Sequence, residues 1–104
     1  MKDETPKGHV DLLLLSVLAT EPAHGYRVVE CLRERSEGVF DLAEGTVYPS
    51  LYRLEREGHI ASRWVEASGR RRRVYRLTRS GRRELERRRR AWERLGRAME
   101  AVLP

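Results

Sequence analysis

Arg70-Arg71-Arg72-Arg73 sets four guanidinium groups in succession. A guanidinium is permanently charged and carries a planar fork of N–H donors matched to phosphate oxygens, so the chemistry of this run is anion binding. Upstream, Thr46, Ser50 and Arg53 recur at helical spacing and offer further polar donors. Bond-making chemistry finds no footing in this chain. No Ser, Cys or Lys sits in a nucleophile motif, no glycine-rich loop follows a strand, and the carboxylates fall at charge-pairing positions on helical surfaces, so the chain is not expected to be an enzyme. His9, His24 and His59 lack ligand spacing with one another or with Cys31, so they read as caps and turns; neither a metal nor a cofactor is expected.

The cations are unevenly placed. Residues 1–61 carry seven basic and eleven acidic side chains, residues 62–90 carry thirteen and three, and the last fourteen residues are balanced. Within a net charge of +6, that partition points to a polyanionic partner. Only Lys2 and Lys7 among the basic residues are lysine, and Asn and Gln are missing, so arginine abundance is in part compositional and the clustering is the better signal. With 104 residues there is material for one domain whose modest core would gain from a partner subunit. No apolar run approaches the ~20 residues of a membrane span, and Met1-Lys2-Asp3-Glu4 does not open a signal peptide, so a cytoplasmic location without membrane contact is expected. Cys31, the single cysteine, reads as a small core residue.

The elements that must position these groups can be read from periodicity. Residues 1–8, with Pro6 and Gly8, read as a flexible arm. Val10, Leu13, Leu14, Val17 and Leu18 form a helical stripe, and Leu12 and Leu15 widen it into a helix buried on most sides that stops before Pro22. A second helix starts near His24-Gly25-Tyr26, with Tyr26, Val29 and Leu32 inward, and Gly38 punctuates its end. Asp41 and Glu44 have capping-box spacing, which predicts a third helix from Leu42 with Val47, Leu51 and Leu54 inward and Thr46, Ser50 and Arg53 on the opposite, polar face. Pro49 conflicts with that start, because it removes a backbone donor opposite Gly45. The helix must either begin later or bend.

Ile60 to Val65 and Arg73 to Leu77 alternate like two strands around Ser68-Gly69, which puts the arginine run at a hairpin tip. By alternation Arg71 and Arg73 point oppositely to Arg70 and Arg72, so not all four reach one partner. From Arg79 a long helix spaces Leu85, Trp92 and Met99 by seven, with Leu95 and Val102 between them and Arg88 interrupting the seam. Such a narrow stripe is expected to pair with a second copy. Arg87 to Arg90 read as a solvated face, with Glu84 and Glu86 as partners. The expected fold is mainly α with a small β-hairpin: a winged helix-turn-helix domain over 9–78, with the third helix in a major groove and the hairpin on phosphates, followed by a dimerisation helix over 79–104.

Gly25-Tyr26, Gly45-Thr46-Val47-Tyr48-Pro49, Leu51, Arg53-Leu54-Glu55-Arg56-Glu57-Gly58, Trp64, Arg71 to Tyr75, Leu77-Thr78 and Gly81 together resemble the PadR family of transcriptional regulators. The match runs over nearly the whole chain in order. The resemblance implies double-stranded DNA as partner, a homodimer joined by the C-terminal helix, and repression from a pseudo-palindromic operator. It also implies that tyrosines near the helix starts approach the DNA backbone. The candidate DNA-binding residues are therefore Tyr26, Thr46, Tyr48, Pro49, Ser50, Arg53, Arg70, Arg71 and Arg72. Tyr48 and Tyr52, four apart on one flank, also suit core filling with the hydroxyl at the surface.

Trp92 carries two readings at once. It is dimer packing at a seam position, and in similar short members flat aromatic effectors bind between paired tryptophans at this place. The neighbouring arginines favour screening neutral and anionic aromatics beside cations. The competing class is a winged-helix module that takes RNA or a protein partner through its basic wing. Specific binding to a short duplex with dyad symmetry separates the two.

Overall fold

The computed structural model describes residues 7–104. Its element order is α1 (Lys7–Thr20), β1 (Ala23–His24), α2 (Gly25–Arg35), α3 (Glu44–Arg56), β2 (Ile60–Ala67), β3 (Arg70–Leu77) and α4 (Arg79–Val102). The arm expected over residues 1–8 lies outside the described residues up to position 6, and Lys7 and Gly8 already belong to α1.

Helix α1 is the central strut. Leu14, Leu15, Val17 and Leu18 are buried on adjoining faces because α2, α3, β3 and α4 all pack against it. The core continues through Val28, Val29, Cys31 and Leu32 of α2, the Val47, Leu51 and Leu54 stripe of α3, and Ile60, Tyr75 and Leu77 of the hairpin. Tyr26, expected inward, is 61% exposed; Val28, two positions on, takes the core-facing place at the start of α2.

Strand β1 has no sequence signature, since two residues show no period. It pairs antiparallel with β3, Ala23 opposite Tyr75 and His24 opposite Val74, giving a three-stranded sheet in the order β1-β3-β2. The β2–β3 pairing runs from Ile60 opposite Leu77 to Ala67 opposite Arg70, closed by Ser68 and Gly69 at φ 53° and 74°. Two positive φ values make the two-residue turn whose twist suits a hairpin. The tip is therefore Ser68-Gly69, and the arginine run lies along β3 instead of at the turn.

The capping box does not form. Ala43 precedes the first turn of α3 without a side-chain hydrogen bond, while Asp41 accepts from Arg33 Nε at 3.1 Å. Leu42 is drawn into the core at 2% exposure and stands outside the helix. The helix thus starts two residues later than the cap predicts. Pro49 still lies within it, with Gly45 and Pro49 both on the exposed side, where water can reach the carbonyl left without its donor. At the other end Gly58, at φ 82°, donates to the Glu55 carbonyl and His59 to that of Leu54, a Schellman stop.

Thr78 ties the hairpin to α4. Its Oγ1 accepts from Gly81 N at 3.0 Å as the helix cap and donates to the Gly58 carbonyl at 2.6 Å. Gly81 is buried against the His59 carbonyl, with no room for a Cβ. Gly81→Ala must push α4 off the start of β2, and we expect a loss of about 1–3 kcal/mol. Thermal unfolding should show it as a fall of about 4–8 °C per kcal/mol.

Candidate nucleic-acid interface

Helix α3 presents its outer ridge to solvent. Gly45, Pro49, Tyr52 and Arg56 are exposed, whereas Thr46, Ser50 and Arg53, expected opposite the core, form a half-buried flank. Ser50 Oγ donates to the Thr46 carbonyl at 3.0 Å. Arg53 is committed elsewhere: its Nη2 donates to Asp11 Oδ1 of α1 at 2.7 Å, and its Nη1 lies 3.5 Å from Glu57. The α3 surface open to a large partner is accordingly the ridge at Pro49 and Tyr52, with Thr46 and Ser50 along its edge.

The opposite flank of α3 faces the wing across a groove of about 610 Å³. Tyr26, Tyr48 and Tyr52 line its helical wall; Trp64, Arg71 and Arg73 line its sheet wall. Tyr48 is half-buried over Gly25, where an added Cβ would stand 2.6 Å from its ring, and its ring centroid lies 6.2 Å from that of Tyr52. Burial pushes the Tyr48 phenol up, so it stays a neutral hydroxyl.

On β3 the alternation sorts the arginines as expected. Arg71 and Arg73 lie over the Trp64 ring, their guanidinium carbons 4.8 and 5.5 Å from its centroid. Arg73 is further held by Ser62 Oγ at 2.7 Å and by Glu55 at 3.5 Å. Arg72, on the other face, places Nη1 2.8 Å from His24 Nε2. His24 Nδ1 already accepts from Arg27 N at 3.2 Å as the cap of α2. Burial first, then the charge of Arg72, lowers the His24 pKa, and a neutral imidazole has a single acceptor nitrogen. The cap and Arg72 compete for it, and no carboxylate among the described residues holds Arg72. Arg70 is exposed. The wing thus offers Arg70, Arg71 and Arg72, with Arg73 fastened to the sheet.

Helix α4 divides at Arg88. Before it, Leu85 packs against this chain's own core, so it is not part of a free seam. After it, Trp92, Leu95, Met99 and Val102 stand 50%, 49%, 54% and 84% exposed. Arg87, Arg89 and Arg90 are solvated as expected, with Arg89 paired to Glu86 and Glu93 and Arg90 to Glu86. Arg88 departs from the solvated face. It turns inward, donating to Glu84 Oε2 at 2.6 Å with Nη2 3.4 Å from Asp11 Oδ2. Nothing in the helical periodicity of α4 signals this part-buried set, because its buried partner Asp11 lies on α1.

The Arg87 guanidinium, and then that of Arg88, holds the Glu84 carboxyl at about 2, against an ordinary 4.5. A depressed folded-state pKa contributes stability in full above the unfolded value, and that contribution is lost as pH falls through the window from 4.5 to 2. Denaturant unfolding across that window should show the parent losing stability more steeply than Glu84→Gln, which has no such proton to take up.

Three helices, a hairpin wing carrying cations beside the exposed ridge of one helix, and a long terminal helix define a winged-helix DNA-binding protein. The model of the PadR-like family of transcriptional regulators matches residues 14–87, and the chain belongs to that family. It is 38% identical over 94 residues to transcriptional regulator Rv3488 of Mycobacterium tuberculosis, covering 90% of this chain and 85% of that protein. Among solved structures it is similar to a transcriptional regulator of Clostridium thermocellum at TM-score 0.88 and 28% identity, covering 94% and 96% of the two chains. A PadR family regulator of Clostridium difficile R20291 superposes at TM-score 0.81 with 36% identity, covering 92% and 99%. The family is one of regulators, not enzymes. No helix among the described residues is long and apolar enough to cross a membrane.

Proposed function

We propose that the protein is a dimeric repressor of a pseudo-palindromic operator, with α3 in the major groove and the wing on flanking phosphates, and that a small flat aromatic ligand at Trp92 releases it. The observation that carries the reading is the placement of the exposed α3 ridge, at Tyr52, across one groove from the wing arginines Arg70, Arg71 and Arg72. A helix in a groove with a cationic strand alongside spans a groove and its bordering backbone. The exposed stripe of Trp92, Leu95, Met99 and Val102 supports a second copy as the cover of α4.

The test is binding to duplexes from the stretch upstream of the protein's own gene, with dyad-symmetric half-sites ~10 base pairs apart or a multiple of that. Specific, salt-sensitive binding is expected. Equal affinity for unrelated duplexes, or tighter binding to RNA, would overturn it.

For the effector, two facing indoles contribute roughly 0.5–1.5 kcal/mol each beyond area burial to a sandwiched ring. The ligand must favour the subunit spacing that does not fit DNA, because equal affinity for both arrangements shifts nothing. The arginines around Trp92 are ion-paired: Arg88 with Glu84, Arg89 with Glu86 and Glu93. These pairs offset part of the positive charge there, so planar cations belong in the screen beside neutral and anionic aromatics. Titration should quench tryptophan fluorescence in the parent and in Trp64→Ala, and lose the effect in Trp92→Ala. Quenching unchanged in Trp92→Ala leaves Trp92 as packing alone.

A further inference from the structure

Asp11 is the buried charged side chain of the described core, 5% exposed, and it stands where α1, α3 and α4 meet. Its two carboxylate oxygens face different helices. Oδ1 accepts from Arg53 of α3 at 2.7 Å, and Oδ2 lies 3.4 Å from Arg88 Nη2 of α4. Arg88 is fixed from behind by Glu84 at 2.6 Å, and Glu84 in turn by Arg87. The result is a line of alternating charges running from α3 through α1 into α4.

Such a line is a poor way to gain stability, since desolvating the ions offsets most of their attraction and apolar packing would serve as well. What it does supply is relative position. A buried carboxylate keeps both cations only while α3 and α4 hold one placement against α1; displacing α4 strips Asp11 of one partner or draws Arg53 along. Arg53 lies on the flank of α3 beside the ridge at Pro49 and Tyr52, and Arg88 lies one helical turn before Trp92.

We infer that Asp11 is a positioning residue for DNA recognition, coupling the placement of α4 to that of α3 through Arg88 and Arg53. This rests on the reading of α3 as the recognition helix. It makes Arg53 a residue that sets the pose of α3 from behind instead of one that touches a base, and it gives a rearrangement at Trp92 a short path to the DNA-facing ridge.

The test uses the full chain with Arg88→Gln, Asp11→Asn and the double variant. Arg88 has no place on the wing or the ridge, so its loss should leave the unrelated-duplex affinity within about twofold, because few phosphate contacts change. Affinity for the dyad duplex should fall roughly 5- to 150-fold, the span of ordinary coupling between sites. The double variant should be no weaker than the worse single one, since both break the same line. Hydrogen exchange without DNA should quicken in α3 around Arg53 in Arg88→Gln, an effect that a local role within α4 would not produce. Should Asp11→Asn not fold, the Arg53→Gln and Arg88→Gln pair forms the same cycle. Unchanged exchange in α3 with unchanged dyad affinity, equal losses on both duplexes, or additive losses in the cycle would each overturn the coupling. If the parent binds no duplex selectively, the DNA reading falls, while the exchange comparison still decides whether α4 positions α3.

Discussion

Replacing Arg71 and Arg72 together with alanine is expected to lower DNA affinity on the order of 30-fold, by about equal factors on operator and unrelated duplexes. The two side chains lie on opposite faces of β3: Arg71 over Trp64 in the groove beside α3, Arg72 against His24 on the outer face. Neither is fixed by a carboxylate among the described residues, in contrast to Arg73. A charge-assisted contact to phosphate at an exposed site contributes roughly 1 kcal/mol, and two such losses make about 2 kcal/mol, hence the factor. The salt series is the sharper readout. Each phosphate contact removed lowers the magnitude of the slope of log affinity against log salt by about 0.9, so the double variant should flatten it by about 2. Arg73→Ala serves as the contrast, because Arg73 is held by Ser62 and Glu55 and should change the slope little. A double variant that keeps the parent's slope would place the phosphate backbone elsewhere.

These contrasts also mark how far the sequence carried. Hydrophobic periodicity located every helix, because the stripes of α1 and α3 are long enough to fix their phase, and the Ser68-Gly69 turn fixed the hairpin. Periodicity could not place the arginine run, which a tip and a strand accommodate equally; register settles it, with Arg70 opposite Ala67. The capping box failed for a reason invisible locally: Leu42 is needed in the core, and Asp41 finds Arg33 instead. Most of the site shared that limit. Thr46, Ser50 and Arg53 have the spacing of a polar face, but which face meets solvent depends on where α1 sits. The sequence holds Asp11 and Arg53 forty-two positions apart, with no short-range signal to join them. Leu85, expected in the seam, and Arg88, expected on the solvated face, both turn inward for the same reason, since α1 covers the first half of α4 and leaves the second half bare.

That bare half sets the second large effect. Leu95→Glu should convert the protein to monomers at micromolar concentration while leaving its fold intact. In a single chain Leu95 is half exposed and residues beyond Arg88 contribute almost nothing to the core, so a charge there costs the folded monomer little. Across a two-fold axis the same carboxylate would be buried against a second apolar stripe and near its own symmetry mate, where an uncompensated charge costs several kcal/mol. DNA affinity should then collapse further than for any single contact. A dimer engages its second half-site at the effective concentration set by the first, so its affinity exceeds that of one half-site by roughly 10²- to 10⁴-fold. The monomer should keep only half-site binding and lose its dependence on half-site spacing. Leu85→Glu would behave differently: Leu85 packs on the domain's own core, so that variant should lose thermal stability first and dimerisation only through unfolding. Sedimentation, thermal unfolding and binding to full and half operators distinguish the outcomes. A Leu95→Glu protein that remains dimeric, or that binds the full operator as the parent does, would show that α4 is covered by something other than a second copy of itself.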